Sequence, residues 1–153
     1  MKTRLFQILG VVAVTTIGLT SCETDECKDV TCENDGVCVD GTCDCTEGYT
    51  GTNCETAWTE AFLGTYDGVD TCGFQYQSVI TSTTFNGLTI SNAFGLAANA
   101  TAALTGETTI QVATQTVNGY SISGGSGTLN GDVLTINYTI DGDDCQVAYT
   151  LVP

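Results

Sequence analysis

Six cysteines crowd into the 28 residues from Cys27 to Cys54, in the order C-KDVT-C-ENDGV-C-VDGT-C-D-C-TEGYTGTN-C. Only Val30, Val37, Val39 and Tyr49 are sizeable apolar side chains in that stretch. A segment so short and so poor in apolar surface cannot fold by burial alone. Covalent cross-links must replace the missing core, and cross-links of that kind persist only in an oxidising compartment. Six cysteines admit 15 pairings, and their spacing does not choose among them. A zinc or iron–sulfur site is the competing use of such a cluster. Alternating cysteines with no histidine anywhere in the chain argue against it.

The closing run Cys43-x-Cys45-x-x-Gly48-Tyr49-x4-Cys54 resembles, residue for residue, the signature that ends EGF-like modules. The resemblance implies the pairing first to third, second to fourth and fifth to sixth. On this chain that gives Cys27–Cys38, Cys32–Cys43 and Cys45–Cys54. Only four residues separate Cys38 from Cys43, fewer than is usual in the family, so the central hairpin is expected to close tightly at Asp40-Gly41. Calcium-binding members of the family carry acids before the first cysteine and just after the third. The run Glu23-Thr24-Asp25-Glu26 and Asp40 approximate that pattern. The resemblance therefore implies Asp25, Glu26 and Asp40 as calcium ligands, a chemistry suited to clustered oxygens. The shortened loop leaves no room for the aromatic that completes the family pattern.

Ahead of this module, Lys2 and Arg4 precede an apolar run from Leu5 to Leu19. Its 15 residues fall short of the roughly 20 that span a bilayer as a helix. The run ends in Leu19-Thr20-Ser21-Cys22, which resembles the bacterial lipobox. The resemblance implies that residues 1–21 are a lipoprotein signal peptide cleaved before Cys22, whose sulfur then carries the lipid. Parity agrees: nine cysteines are an odd number, and setting Cys22 aside leaves eight that can all pair. Lipid on Cys22 makes the membrane a partner, at about 0.8 kcal/mol per buried methylene. Residues 22–26 form an acidic tether. It resembles the export signal that carries some Gram-negative lipoproteins to the exterior, and as a bare composition it is equally a solvated spacer. The expected location is the outer membrane, lipid-anchored at the cell surface.

Residues 27–55 make up the EGF-like module and 56–60 a linker. From 61 to 153 the composition changes to Thr, Gly, Ala, Val and Ile, with few charges. Leu134, Ile136, Tyr138 and Ile140 alternate with Thr135, Asn137 and Thr139, and Cys145, Val147, Tyr149 and Leu151 alternate likewise. Alternation with a period of two marks half-buried strands. Asn86-Gly87, Asn118-Gly119, Asn130-Gly131 and Asp141-Gly142 punctuate the runs as hairpin turns. Strands are expected near 61–69, 74–84, 88–94, 100–105, 108–117, 120–129, 132–140 and 145–152. The fold class is mainly β: an antiparallel all-β domain of about eight strands in up-and-down order. It closes as a barrel or stacks as a β-sandwich. In a closed barrel of even strand number the first and last strands are antiparallel neighbours. Cys72, just past the first, then lies beside Cys145, at the start of the last, and the two can bridge the seam. Phe62-Leu63-Gly64-Thr65-Tyr66 faintly resembles the opening of lipocalin-like barrels.

Without residues 1–21 the chain keeps 18 acids and one base, Lys28, for a formal charge of −17. Phosphate binding needs cationic donors, so nucleic acid is excluded as a partner. With no histidine, no lysine past Lys28 and every remaining cysteine paired, the usual nucleophile and base combinations cannot be assembled. Glu60, Asp67, Asp70 and Glu107 offer material in principle for a paired-carboxylate glycosidase. Trp58, the sole tryptophan, offers no platform for one. Gly124-Gly125-Ser126-Gly127 reads as a bulge or barrel corner rather than a phosphate cradle. If Cys72 pairs with Cys145, then Asp67, Asp70, Asp141, Asp143 and Asp144 are expected at one rim, where repulsion favours solvation or a bound calcium ion. The composition thus points to a non-enzymatic binding or adhesion protein that requires no cofactor, has calcium as its one candidate metal, and takes a protein or glycan ligand. The alternative is a carrier holding a small apolar ligand between inward rows such as Ile136, Tyr138, Val147 and Tyr149.

Overall fold

The computed structural model describes residues 26–153. The signal segment, Cys22 and Asp25 lie outside the described residues.

The three bridges Cys27–Cys38, Cys32–Cys43 and Cys45–Cys54 form as the family resemblance implies. They hold two small hairpins, β1 (Val37–Val39) with β2 (Thr42–Asp44) and β3 (Tyr49–Thr50) with β4 (Thr56–Ala57). Asp40 and Gly41 both take positive φ, 48° and 79°, as a type I′ turn demands. Thr56 and Ala57 pair with Thr50 and Tyr49, so the expected 56–60 linker is structured from its first residue. A 3-10 turn, Trp58–Phe62, follows and delivers Phe62 to the barrel core. The strand expected at 61–69 therefore starts only at Gly64, its first two residues belonging to this turn.

The remaining strands are β5 (Gly64–Asp70), β6 (Gln75–Thr84), β7 (Gly87–Ile90), β8 (Ala100–Gly106), β9 (Thr109–Val112), β10 (Gln115–Val117), β11 (Tyr120–Asn130), β12 (Val133–Ile140) and β13 (Asp143–Leu151). Apart from β9 and β10, which both pair with β11, each pairs antiparallel with its neighbour in sequence, and β13 returns to pair with β5 from Val147↔Asp70 to Leu151↔Tyr66. The meander is therefore a closed eight-strand barrel, with β9 and β10 as two halves of one strand opposite β11. Closure excludes the sandwich. Apolar side chains from Tyr66 to Tyr149 face inward, while the outward positions are largely Thr, Gln and Asn, the reverse of a lipid-facing barrel. No helix among the described residues is long and apolar enough to cross a membrane.

Strand direction defines two ends. The turns at 85–86, 107–108 and 131–132 share one end with the entry from the EGF-like module. There Phe85 stacks on Tyr49 with ring centroids 5.9 Å apart, and a Cβ on Gly48 would stand 2.4 Å from the Phe85 ring. Trp58 ties the junction by donating Nε1–H to the Tyr49 carbonyl at 3.0 Å. The opposite, distal end carries the turns at 71–74, 118–119 and 141–142 and the loop 91–99.

The loop 91–99 departs most from the expected strands, because run 88–94 ends at Ile90. Asn92, Phe94 and Ala97 adopt left-handed φ of 44°, 56° and 52°, and this folds the loop back over the mouth. Asn92 stabilises it by donating to the Gln77 carbonyl and accepting from the Ala97 amide. Run 108–117 is also interrupted, at Ala113-Thr114, opposite a register shift in β11 between Ile122 and Gly125. Gln115 repairs the gap with its own amide, which accepts from Thr101 N–H at 2.9 Å and donates to Thr101 C=O at 2.8 Å. A side chain here does the work of a missing ladder rung.

Candidate functional site

Cys72 and Cys145 are bridged across the β5–β13 seam, Cα–Cα 5.8 Å. The acids expected to gather there do not. In β5 the inward positions are Tyr66, Gly68 and Asp70, so Asp70 is buried and Asp67 points outward, where Gln77 donates to it at 3.1 Å. Asp67 pairs with Thr150, well down the strand from the 141–144 turn. Asp141 accepts the Ser121 amide, Asp144 accepts the Thr139 hydroxyl, and Asp143 is exposed. Among the described residues the side chains that come together as possible metal ligands are Asp70, Cys72 and Cys145. Two of those are consumed by their disulfide. The five-carboxylate rim is not assembled. In the EGF-like module Glu26 lies against the turn at Asp40-Gly41, and Asp25 is outside the described residues. The carboxylates proposed for glycosidase chemistry are likewise scattered: Asp70 sits at the distal end, while Glu60 and Glu107 are exposed at the other.

Asp70 anchors a polar cluster inside the distal mouth. Its carboxylate accepts from the Cys72 amide at 2.6 Å, from the Tyr138 hydroxyl, and at 3.4 Å from the Tyr76 hydroxyl. Tyr149 donates to Tyr76 at 3.4 Å and accepts from the Phe94 amide at 3.3 Å. Phe94 stacks on Tyr138 with centroids 4.1 Å apart. The barrel domain contains no base to pair with this buried carboxylate, so hydrogen bonds alone compensate its desolvation. Gly68 makes the cluster fit, since a Cβ there would stand 3.0 Å from both the Tyr149 and the Tyr76 rings.

Burial raises the hydroxyl pKa of Tyr76, Tyr138, Tyr149 and Tyr66 above the ordinary phenol value, the Asp70 carboxylate adding for Tyr76 and Tyr138. Unfolded, these phenols ionise near pH 10; folded, they keep their protons. Above that pH the folded state binds more protons than the unfolded one, so stability falls with rising pH, by up to about 1.4 kcal/mol per pH unit per tyrosine. Below it the contribution is intact. The urea midpoint is expected to drop as the pH passes about 10 and to drop less steeply in Tyr149→Phe.

Outside the barrel, over the β11 bulge, a depression of about 520 Å³ opens between strands β9, β11, β12 and β13. Gly124, at φ 114°, and Gly125 form its floor, and a Cβ on Gly125 would stand 2.5 Å from the Asn137 carbonyl oxygen. Gln111, Ser126, Asn137, Thr139, Asp144 and Gln146 form its walls. The glycine run is the bulge its composition indicated. Its partners were not legible, because they come from three other strands.

Fold and surface together define a two-module β protein, an EGF-like unit docked on a closed eight-strand barrel. A family model described as the Teneurin-like EGF domain matches residues 27–57. No curated protein and no solved structure matches the chain.

Proposed function

We propose that this chain is a cell-envelope lipoprotein, anchored in the outer membrane through Cys22 and facing the exterior, that acts as a non-enzymatic binding or adhesion protein. The EGF-like module is its spacer, and the ligand meets the outside of the barrel. One observation carries this. Tyr66, Tyr149, Phe62, Ile90, Ile122, Leu134 and Ile136 have no water-accessible surface at all. A hollow large enough for a ligand would leave accessible area on the side chains lining it, as a dry engineered cavity does. Phe94 packs against the interior rows proposed for cargo, stacking on Tyr138 and donating its amide to Tyr149, and Phe62 belongs to the same buried core. The EGF-like contact at Phe85 supports the spacer role, because it occupies the membrane-side end and leaves the distal end and walls free.

Native mass spectrometry of residues 23–153, with and without added calcium, tests the proposal. A bare mass in both conditions is the expected result. A co-purifying small apolar mass would replace surface binding with carriage. A mass that shifts only with calcium would tie adhesion to the metal.

A further inference from the structure

We infer that the depression over the β11 bulge is a binding site for a neutral sugar, a ligand that presupposes the surface-binding proposal above. Its walls are amides, hydroxyls and one carboxylate, and they are already ordered by their own contacts. Gln146 Nε2 donates to Asn137 Oδ1 at 2.7 Å, Thr139 Oγ1 to Asp144 Oδ1 at 2.8 Å, and Gln111 Nε2 to the Gly125 carbonyl at 2.5 Å. The Gln146 amide is held from the chain side as well, its backbone N–H donating to Thr71 Oγ1 at 2.9 Å. These bonds use only part of each group's capacity. The Asn137 NH2, the Gln111 and Gln146 amide oxygens, the Ser126 hydroxyl and the second Asp144 oxygen have no partner among the described residues. One free donor, three free acceptors and a hydroxyl that is both thus line a concave floor kept low by two glycines, at little entropic cost because their scaffold is a sheet.

Other ligand classes fit less well. The floor lies in mid-sheet, where β11 is paired with β9 on one side and β12 on the other, so no backbone edge is open to an added peptide strand. Asp144 is the only carboxylate in the walls, too few oxygen charges for calcium. No base lies in the barrel, which disfavours phosphate, sulfate and acidic sugars. Adjacent hydroxyls of a neutral sugar, each donor and acceptor at once, match the two ends of a carboxamide or carboxylate. Without an aromatic platform the contact is weak, with Kd on the order of millimolar. A membrane-anchored array would raise it through multivalency.

The test is NMR titration of 15N-labelled residues 23–153 with lactose, maltotriose and N,N′-diacetylchitobiose, each to about 50 mM. The expected result is a saturable shift, with at least one of the three, of the Gln111, Asn137 and Gln146 side-chain NH2 signals and of Gly124 to Ser126. Asn137→Ala and Gln146→Ala are expected to weaken that Kd at least about tenfold. Asp144→Asn, which keeps the shape of the site, shows the same direction, while Gln77→Ala on the far wall leaves binding unchanged. Digalacturonic acid is expected to give no shift. Silence with all three neutral sugars, shifts mapping elsewhere, or binding indifferent to the trough variants would overturn the site. Such silence leaves surface binding standing, whereas retained apolar cargo in the mass spectrum removes surface binding itself.

Discussion

Replacing Cys72 and Cys145 together by alanine is expected to lower the unfolding free energy of the barrel by about 4 kcal/mol while leaving its fold intact. The bridge spans 73 residues in sequence, against separations of 11, 11 and 9 within the EGF-like module. Loop-closure entropy grows with the logarithm of the loop, so those shorter bridges contribute only about 3 kcal/mol each. The fold survives because the seam has other ties. Five ladder pairs join β13 to β5, and the Thr71 amide donates to the Gln146 carbonyl beyond them. What the disulfide removes is freedom in the unfolded chain, where otherwise the first and last strands must find each other across the whole domain. For a domain of this size the change corresponds to a fall in Tm of about 20 °C. Comparing the double alanine variant with the parent, both oxidised, isolates this bridge from the other three. A loss below about 1 kcal/mol would mean that the unfolded chain is already restrained near the seam.

That bridge could be anticipated from sequence because it follows from topology. Alternating runs with Asn118-Gly119 and Asp141-Gly142 turns specify a meander, and both turns take the paired positive φ of type I′. An even meander that closes must bring its first and last strands together. Turn positions that depend on the ladder register are less legible. Asn86-Gly87 and Asn130-Gly131 do not sit at the two turn positions, which are Phe85-Asn86 and Gly131-Asp132, since Thr84 pairs with Gly87 and Asn130 with Val133. The acidic rim failed for a related reason. The signal was present, because parity with Tyr66 and Gly68 places Asp70 inside and Asp67 outside. Strand parity, not proximity in sequence to Cys72, decides where these acids lie. The trough could not be seen at all, since Gln111, Asn137 and Gln146 meet only through the register of three strands. Nor could the loop 91–99, whose left-handed residues obey no period.

The consequence of that loop is the second large effect. Phe94→Ala is expected to cost 3–5 kcal/mol, the range for removing a buried aromatic ring without collapse of the site. The ring is 1% exposed and stacks on Tyr138 directly beside the Asp70 cluster, so its loss leaves a hole between phenols that are fixed by hydrogen bonds. Phe94 also occupies a left-handed backbone position at φ 56°. Glycine is at ease there and alanine is not, so Phe94→Gly should recover about 1 kcal/mol relative to Phe94→Ala despite having the smaller side chain. That inverted order separates backbone strain from ring burial. The vacated space is of the kind that stays dry and admits benzene, so benzene is expected to raise the Tm of Phe94→Ala and not that of the parent. Binding by both proteins would show that the barrel is hollow as it stands. Binding by the variant alone would mean that one aromatic side chain, held over the mouth by a strained loop, makes the difference between this packed barrel and a carrier.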